Sequence, residues 1–527
     1  MFPDNSPEPS NPAAHKQDHS LKGLAGSKKQ HREVCVLLTP GGLITQPLSA
    51  ANAASEIFNL KLSPEIARQV LEFSGAERPI RNHLPLTDLS LRKNFIAQAT
   101  ARGHLTFLPK GQFIVDAIEQ AAGAMLQREF RCLNIRVPSL FAVSTPQVAS
   151  LTDRFGSERF NRMVPASPCT DRGASHYLRY AADPDLFNYL QGRTFDFASV
   201  PIALLSPGET VRNDPEDAGL LRTMGFFQPD FHVICDRSGY HEDWMRLHQL
   251  TANVMRGLFP SAPKFLVVDV VRDFLQSNPG VLQELSDSSN LPVVANILRE
   301  MNHYYSVQIQ YCLRLTTGHY IQTGNLQLDF KNSGKEIFDI GIERQQQRAP
   351  CVIVHALLTG RDSRVLAGVL NERLLEASGG HPQTMPPSLS PYQVRFLPVS
   401  SEQNALAFEL SRLLLELSSG SLRVMVDDRD LPLGEKVKQA GMDWVPYTIA
   451  IGPRDMTLSS LVVNNRYSGE KIRVAGLSDG SLARPLVDYL CQEVHSRTPS
   501  APLSNQLPGL NPFANILSYS QIPAFLR

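Results

Sequence analysis

The stretch GLLRTMGFFQPDFHVICD, residues 219–236, decides how the rest of the chain is read. Within an apolar, β-like run stand Gln228, Asp230 and His232, two apart. A strand turns successive side chains to opposite faces, so these three share one face while Phe227, Phe231 and Val233 share the other. One face is built for a core. The other sets an amide, a carboxylate and an imidazole side by side, which suits either an edge strand wetted on its polar face or a strand that lines a ligand site.

Working outward, the same alternation recurs in YYSVQIQYCLRL (304–315) and HYIQTGNLQLDF (319–330). Repeated alternating strands predict a mostly antiparallel sheet with one packed face and one polar face. Apolar residues at 3–4 spacing predict a helix in QFIVDAIEQAAGAMLQREF, 112–130. Together these define an α+β region over 96–380. The Pro/Gly/Ser-rich EASGGHPQTMPPSLSP, 376–391, reads as a linker. Beyond it, strand and helix patterns alternate and predict a compact α/β domain over 391–495.

Ahead of the sheet region, residues 32–95 read as a small α+β module. Residues 1–31 are polar and Pro/Ser-rich and read as a disordered tail. Their HKQDH pair of histidines (15–19) has nothing to bury or rigidify a metal. Residues 496–527 are Pro-rich and read as a loose tail or docking arm.

The bulk composition narrows the function classes. In 527 residues, 42% are hydrophobic and 19% charged, enough to bury a core. The formal net charge is zero, so no basic excess announces nucleic-acid binding, although a local basic patch is compatible with it. Seven scattered cysteines form no C-x-x-C pair and read as reduced thiols of a cytoplasmic protein. Neither a secretory h-region nor 18 consecutive apolar residues occur, so no membrane partner is expected, and nothing points to DNA.

Six segments, in order, resemble the threonyl-tRNA synthetases of class II. TFLPKGQFIVDAIEQ (106–120) resembles the start of the family's catalytic domain, and LNIRVPSLF (133–141) its motif 1, with Pro138 at the proline. Residues 209–235 resemble motif 2 and the strand after it. HYIQTGNLQLDF resembles a catalytic strand, and APCVIVHALLTGRDSRVLAGVLNE (349–372) contains motif 3. SLRVMVDDRDLPLGEKVKQAGMDWVPYTIAIG (421–452) is very similar to the anticodon-binding domain. The implied fold is a class II catalytic domain with an antiparallel sheet, followed by a C-terminal α/β anticodon-binding domain.

The resemblance assigns roles residue by residue. His232 and His355 match zinc ligands, and Asp183 stands where the family has a cysteine ligand. An Asp/His/His set is chemically reasonable for zinc, though harder and less selective than one bearing a thiolate. The alternative is a metal-free polar pocket with Asp183 facing the substrate ammonium. Gln228, Asp230 and Tyr305 match amino-acid contacts, Asp230 at the hydroxyl. Arg212 matches the motif 2 arginine on the α-phosphate and substrate carboxylate, and Arg364 the motif 3 arginine on the γ-phosphate end. Asp214, Gln322 and Gln327 match positions beside the nucleotide. ATP and Mg2+ are thus implied, together with threonine and tRNA. Asp428, Arg429 and Lys436 match tRNA-reading positions, and motif 1 implies a homodimer.

Departures accompany the match. Asp214 replaces a Glu, Met224 a second phosphate-facing Arg, Gln308 a Lys, Asn325 a Thr, Ser363 a Glu and Asn464 an Arg. Residues 32–95 are too few for the editing domain of many bacterial members, although 34–59 faintly resemble the family's small ubiquitin-like domain. Without editing, a hydroxyl-reading pocket rejects serine weakly, since one methyl is worth about 1–3 kcal/mol. The leading expectation is a divergent threonine–tRNA ligase. The alternatives are amino-acid activation with a non-tRNA acceptor and a catalytically impaired tRNA-binding or regulatory paralogue.

Overall fold

The computed structural model describes residues 32–40, 43–44, 84–155, 162–163, 175–213, 219–301, 303–380, 382–457, 459–476 and 481–497. The tail expected at 1–31 lies outside these, as do Asp214 and all but the first two residues of the tail expected at 496–527.

The main element is a ten-stranded sheet. Its strands are β1 (Arg32–Thr39), β2 (Leu43–Ile44), β3 (Leu133–Asn134), β4 (Ile202–Val211), β5 (Gly225–Cys235), β6 (Lys264–Val271), β7 (Val293–Leu298), β8 (Tyr305–Arg314), β9 (Tyr320–Asp329) and β10 (Val352–Leu357). The spatial order is β2-β1-β7-β6-β8-β9-β10-β5-β4-β3. All pairings are antiparallel except β6–β7 and β3–β4.

Two expectations change here. The strand β5 is not an edge: β10 and β4 flank it, and its polar residues Gln228, Asp230 and His232 are all buried. A half-polar strand in the interior needs partners for its polar face, which favours a site over a wetted surface. Nor do the described parts of 32–95 stand alone. β1 pairs antiparallel with β7 and extends the main sheet. The pairing satisfies backbone groups that an isolated strand would leave open.

Among the helices are α1 (Leu84–Arg92), α2 (Pro109–Phe130), α3 (Asp183–Leu190), α4 (Tyr240–Leu258) and α5 (Asp362–Ser378). α1, α2, α4 and α5 pack on the apolar face of the sheet, and α3 packs on the opposite face. In α2, Phe113, Ile114, Ala117, Ile118, Ala121, Ala122 and Met125 form a buried stripe at 3–4 spacing. Pro109 opens α2, where its missing N–H costs nothing. At Gly111 a Cβ would overlap the carbonyl of Phe95, so the close approach of α2 requires glycine. Phe130, at the end of α2, meets Phe231 of β5 edge-on at 5.7 Å, which ties α2 to the back of the polar strand.

The C-terminal unit is a five-stranded sheet of β11 (Val394–Pro398), β12 (Val424–Val426), β13 (Tyr447–Ile451), β14 (Ser460–Asn465) and β15 (Lys471–Ala475), ordered β12-β11-β13-β14-β15. Helices α6 (Asn404–Leu417), α7 (Leu433–Met442) and α8 (Ala483–Ser496) accompany it. The stretch expected as a linker is tightly held. Arg423 donates to the carbonyls of Pro387 and Ser390, and Thr384, Pro387 and Ser390 are buried. Across the boundary Asp443 lies between Arg395 at 2.9 Å and Lys110 at 3.7 Å. Lys93 donates to the Met442 carbonyl and lies 4.5 Å from the Trp444 ring centre.

Candidate active site

Register builds the site. Asp269, Gln308, Gln327, His355 and His232 are cross-strand partners in sequence across β6, β8, β9, β10 and β5. Directly opposed residues share a face, so five polar side chains form one row across the sheet. A register shift beside Tyr311 inserts an extra residue in β9 and returns Gln322 to the face of Asn325 and Gln327. Meanwhile Ile321, Leu326 and Leu328 point into the core.

Above this row sits the first residue of α3. Asp183 starts that helix with Pro184 behind it, a placement that suits an anion at the positive helix end. Asp183 Oδ1 lies 3.4 Å from His232 Nε2 and 3.0 Å from His355 Nδ1. The three side chains are buried, and their ligand atoms lie within 4.8 Å of one another. Among the described residues this is the only group of three or more His, Cys, Asp or Glu so arranged. His355 Nε2 faces Asp329 Oδ2 at 3.4 Å, and Asp329 is held by the backbone N–H groups of Lys331 and Asn332 and by the Asn332 side chain. A carboxylate behind a histidine is the usual outer support of a metal ligand.

The donor set fits a divalent ion. One carboxylate and two imidazoles are the ligand types of open zinc sites, which leave a position for substrate. His232 Nδ1 is buried without a partner among the described residues. Without a metal, the cluster is an ion pair. Burial alone lowers the pKa of His355, but the Asp183 and Asp329 carboxylates raise it to about 9. Burial alone raises that of Asp183, yet hydrogen bonds from His232 and His355 hold it well below the usual carboxylate range.

Next to the cluster, Asp230 accepts from Arg179 and the Ala182 N–H at 3.1 Å each, and from Gln228 at 2.7 Å. A carboxylate has about four accepting directions, so one is left for a ligand. Gln228 Oε1 and Arg179 Nε are buried without partners among the described residues. Unpaired buried polar atoms are costly, and several gathered around Asp230 mark a place where a polar ligand belongs. Arg179 reaches Asp230 across Gly208, where a Cβ would overlap its guanidinium.

Arg212 Nε donates to the Tyr180 carbonyl at 3.2 Å, and its guanidinium lies over the Tyr180 ring at 4.4 Å and the Phe226 ring at 5.3 Å. Arg364 donates to the Leu221 carbonyl at 3.1 Å and to Gln322 at 3.5 Å. Both are half-buried. Tyr305 is buried, with its ring 5.2 Å from His355.

In the C-terminal unit the three expected residues part ways. Arg429 is half-buried, and its fork is set by a bidentate pair with the buried Asp427, at 2.7 and 2.6 Å. Asp428 beside it is half-buried. Lys436 does not fit the expectation of a tRNA contact. It is 2% exposed and donates to the Pro398 carbonyl at 2.8 Å, so it ties α7 to β11.

Three residues of the site were missed from sequence. Tyr304, which donates to Asp183 Oδ1 at 3.1 Å, looks like an aromatic filler beside Tyr305. Asp329 closes an apolar strand, where a carboxylate is itself the signal. Arg179 lies in a segment whose only cue is a cation amid apolar residues.

Residues 393–476 match the family model of an anticodon binding domain. The chain is 25% identical over 383 residues to a threonine–tRNA ligase of Methanothrix thermoacetophila, covering 71% of this chain and 59% of that protein. It is 24% identical over 443 residues to the threonine–tRNA ligase of Methanosarcina acetivorans, covering 82% and 66%. The chain thus spans roughly three fifths to two thirds of the relatives it matches. Among solved structures, the RNA binding domain of threonyl-tRNA synthetase from Cryptosporidium parvum Iowa II superposes with a TM-score of 0.63 at 17% identity, over 80% of this chain and 99% of that one. Over most of its length the chain is thus similar to threonine–tRNA ligases, and its residues 393–476 form an anticodon binding domain.

Proposed function

We propose that the protein activates threonine with ATP and transfers it to tRNA. The observation that carries the proposal is the convergence of Asp183, His232 and His355 beside the open acceptors of Gln228 and Asp230. A small ligand with an ammonium and a hydroxyl group suits that floor. A zinc ion held by the three side chains would supply a Lewis-acid anchor for those two groups.

Activation joins a carboxylate oxygen of the amino acid to the α-phosphorus and breaks the bond to the β-phosphate, releasing pyrophosphate. The nucleophile is already an anion, so the protein's task is to align reactants and neutralise crowded negative charge. Arg212 would bridge the amino-acid carboxylate and the α-phosphate with its planar fork. Arg364, braced by Gln322, would hold the far phosphate end. Gln327 and Gln308, 3.4 Å apart, offer amide dipoles between the two substrates. Arg429, pre-set by Asp427, offers a fixed guanidinium to the anticodon arm.

The complete proposal is tested by charging total tRNA with labelled threonine. Threonyl ester at the 3′ end is the expected product. A folded protein that binds tRNA but esterifies nothing favours the paralogue reading. Met224, apolar where the resemblance expects a cation, is the observation on that side.

A further inference from the structure

We propose that Tyr304 is the positioning residue of the metal-holding carboxylate, its hydroxyl fixing Asp183 when both imidazoles turn to a cation. The inference rests on the reading of Asp183, His232 and His355 as a metal-holding set.

Three groups converge on one atom. Asp183 Oδ1 has His232 Nε2 at 3.4 Å, His355 Nδ1 at 3.0 Å and the Tyr304 hydroxyl at 3.1 Å. An imidazole nitrogen that ligates a cation must offer a lone pair, so it can no longer donate a hydrogen to Oδ1. On loading, both histidines therefore leave Oδ1, and the phenol stays as its donor. Without that bond, the carboxylate at the first turn of α3 would be free to rotate about its side-chain torsions.

The phenol itself is well fixed. Tyr304 is 1% exposed, with its ring 5.6 Å from Phe155 and 5.7 Å from His355. Tyr305 donates its own hydroxyl to Tyr304 at 3.2 Å. The hydrogen-bond direction is thereby set from Tyr305 to Tyr304 to Asp183, and each bond polarises the next. Asp329 does the same for His355 from the opposite side. Each of these two ligands thus has one outer partner, a hydroxyl for the carboxylate and a carboxylate for the imidazole.

The test uses the full chain stripped of metal by chelator dialysis. Zinc affinity is measured by competition with a chromophoric chelator, and cobalt is added separately to read the d–d absorption bands of the bound ion. Tyr304→Phe is expected to weaken zinc binding about 10- to 100-fold, the usual effect of losing an outer partner, and to alter the cobalt bands. Far-UV circular dichroism checks that the fold is kept. If Tyr304→Phe does not fold, Tyr305→Phe reads the same relay, with a smaller loss of affinity expected. A variant that folds and binds zinc like the wild type, with unchanged cobalt bands, overturns the role of Tyr304 alone. A folded wild-type protein that takes up neither ion overturns the metal-holding reading and this inference with it.

Discussion

His232 and His355 are directly opposed partners on neighbouring antiparallel strands, with ring centroids 4.8 Å apart, and both reach the same oxygen of Asp183. Neither strand alone holds a site. The register between β5 and β10 makes one, and the start of α3 caps it.

Metal loading should be proton-coupled. In the metal-free protein His355, raised to about 9 by Asp183 and Asp329 against the effect of burial, is protonated at neutral pH. A cation must displace that proton, so zinc affinity should climb between pH 6.5 and about 9. Calorimetry in buffers of different ionisation enthalpy should show proton release at pH 7.5. The raised pKa also has a stability sign. The metal-free protein gains from protonated His355 fully below pH 6.5 and loses that gain as pH rises through 9.

An acid-side effect belongs to His248. It is buried between the Tyr311 hydroxyl at 2.7 Å and the Leu285 carbonyl at 3.0 Å, and burial pushes its pKa down to about 4. The unfolded chain takes a proton near pH 6.5, whereas the folded one resists until 4, so stability falls across that window. The loss should approach about 3 kcal/mol. Denaturant midpoints of the wild type and His248→Gln, followed from pH 7 to 4, should converge as the acid-sensitive imidazole is removed.

Gly208→Ala should strike the amino-acid side alone. The added methyl meets the Arg179 guanidinium that holds Asp230. We expect the KM for the amino acid to rise at least about tenfold, the scale of a lost charge-assisted hydrogen bond, with the KM for ATP unchanged. Steady-state kinetics in both substrates separates the two.

Arg364→Ala should do the reverse. Its backbone tie to Leu221 is lost, but the fold rests on α5 and the sheet, so the melting temperature should move little. Activation should fall about 100- to 1000-fold, the usual loss when one preorganised partner of developing charge is removed. Rapid-quench measurement of adenylate formation reads this directly.

Asp443→Asn should loosen the two units from each other. The change leaves Arg395 buried beside a neutral amide and weakens the pull on Lys110. Breaking a buried pair on one side costs about 3–5 kcal/mol. Hydrogen exchange should rise first in 382–393 and at the start of α2, ahead of the sheet core.

Much of this site was legible in the sequence, for physical reasons that also mark the limit. Period-two alternation places Gln228, Asp230 and His232 on one face without any structure. The pairing of His355 opposite His232 is a contact between residues 123 apart in number, which local pattern does not encode, and only the family resemblance supplied it. β1 was misjudged for the same reason, since its partner β7 lies more than 250 residues away. Lys436 was misread because a match to a family pattern does not tell whether a long side chain reaches water or a buried carbonyl. Tyr304 was missed because a phenol signals a donor only once its partner is known.

The most direct test of the central claim is amino-acid-dependent ATP–pyrophosphate exchange by the purified full chain, across all twenty amino acids, with and without added zinc. Exchange with threonine, weaker exchange with serine, and stimulation by zinc that Asp183→Asn abolishes are the expected results. No exchange with any amino acid, from a folded protein supplied with zinc, would contradict it.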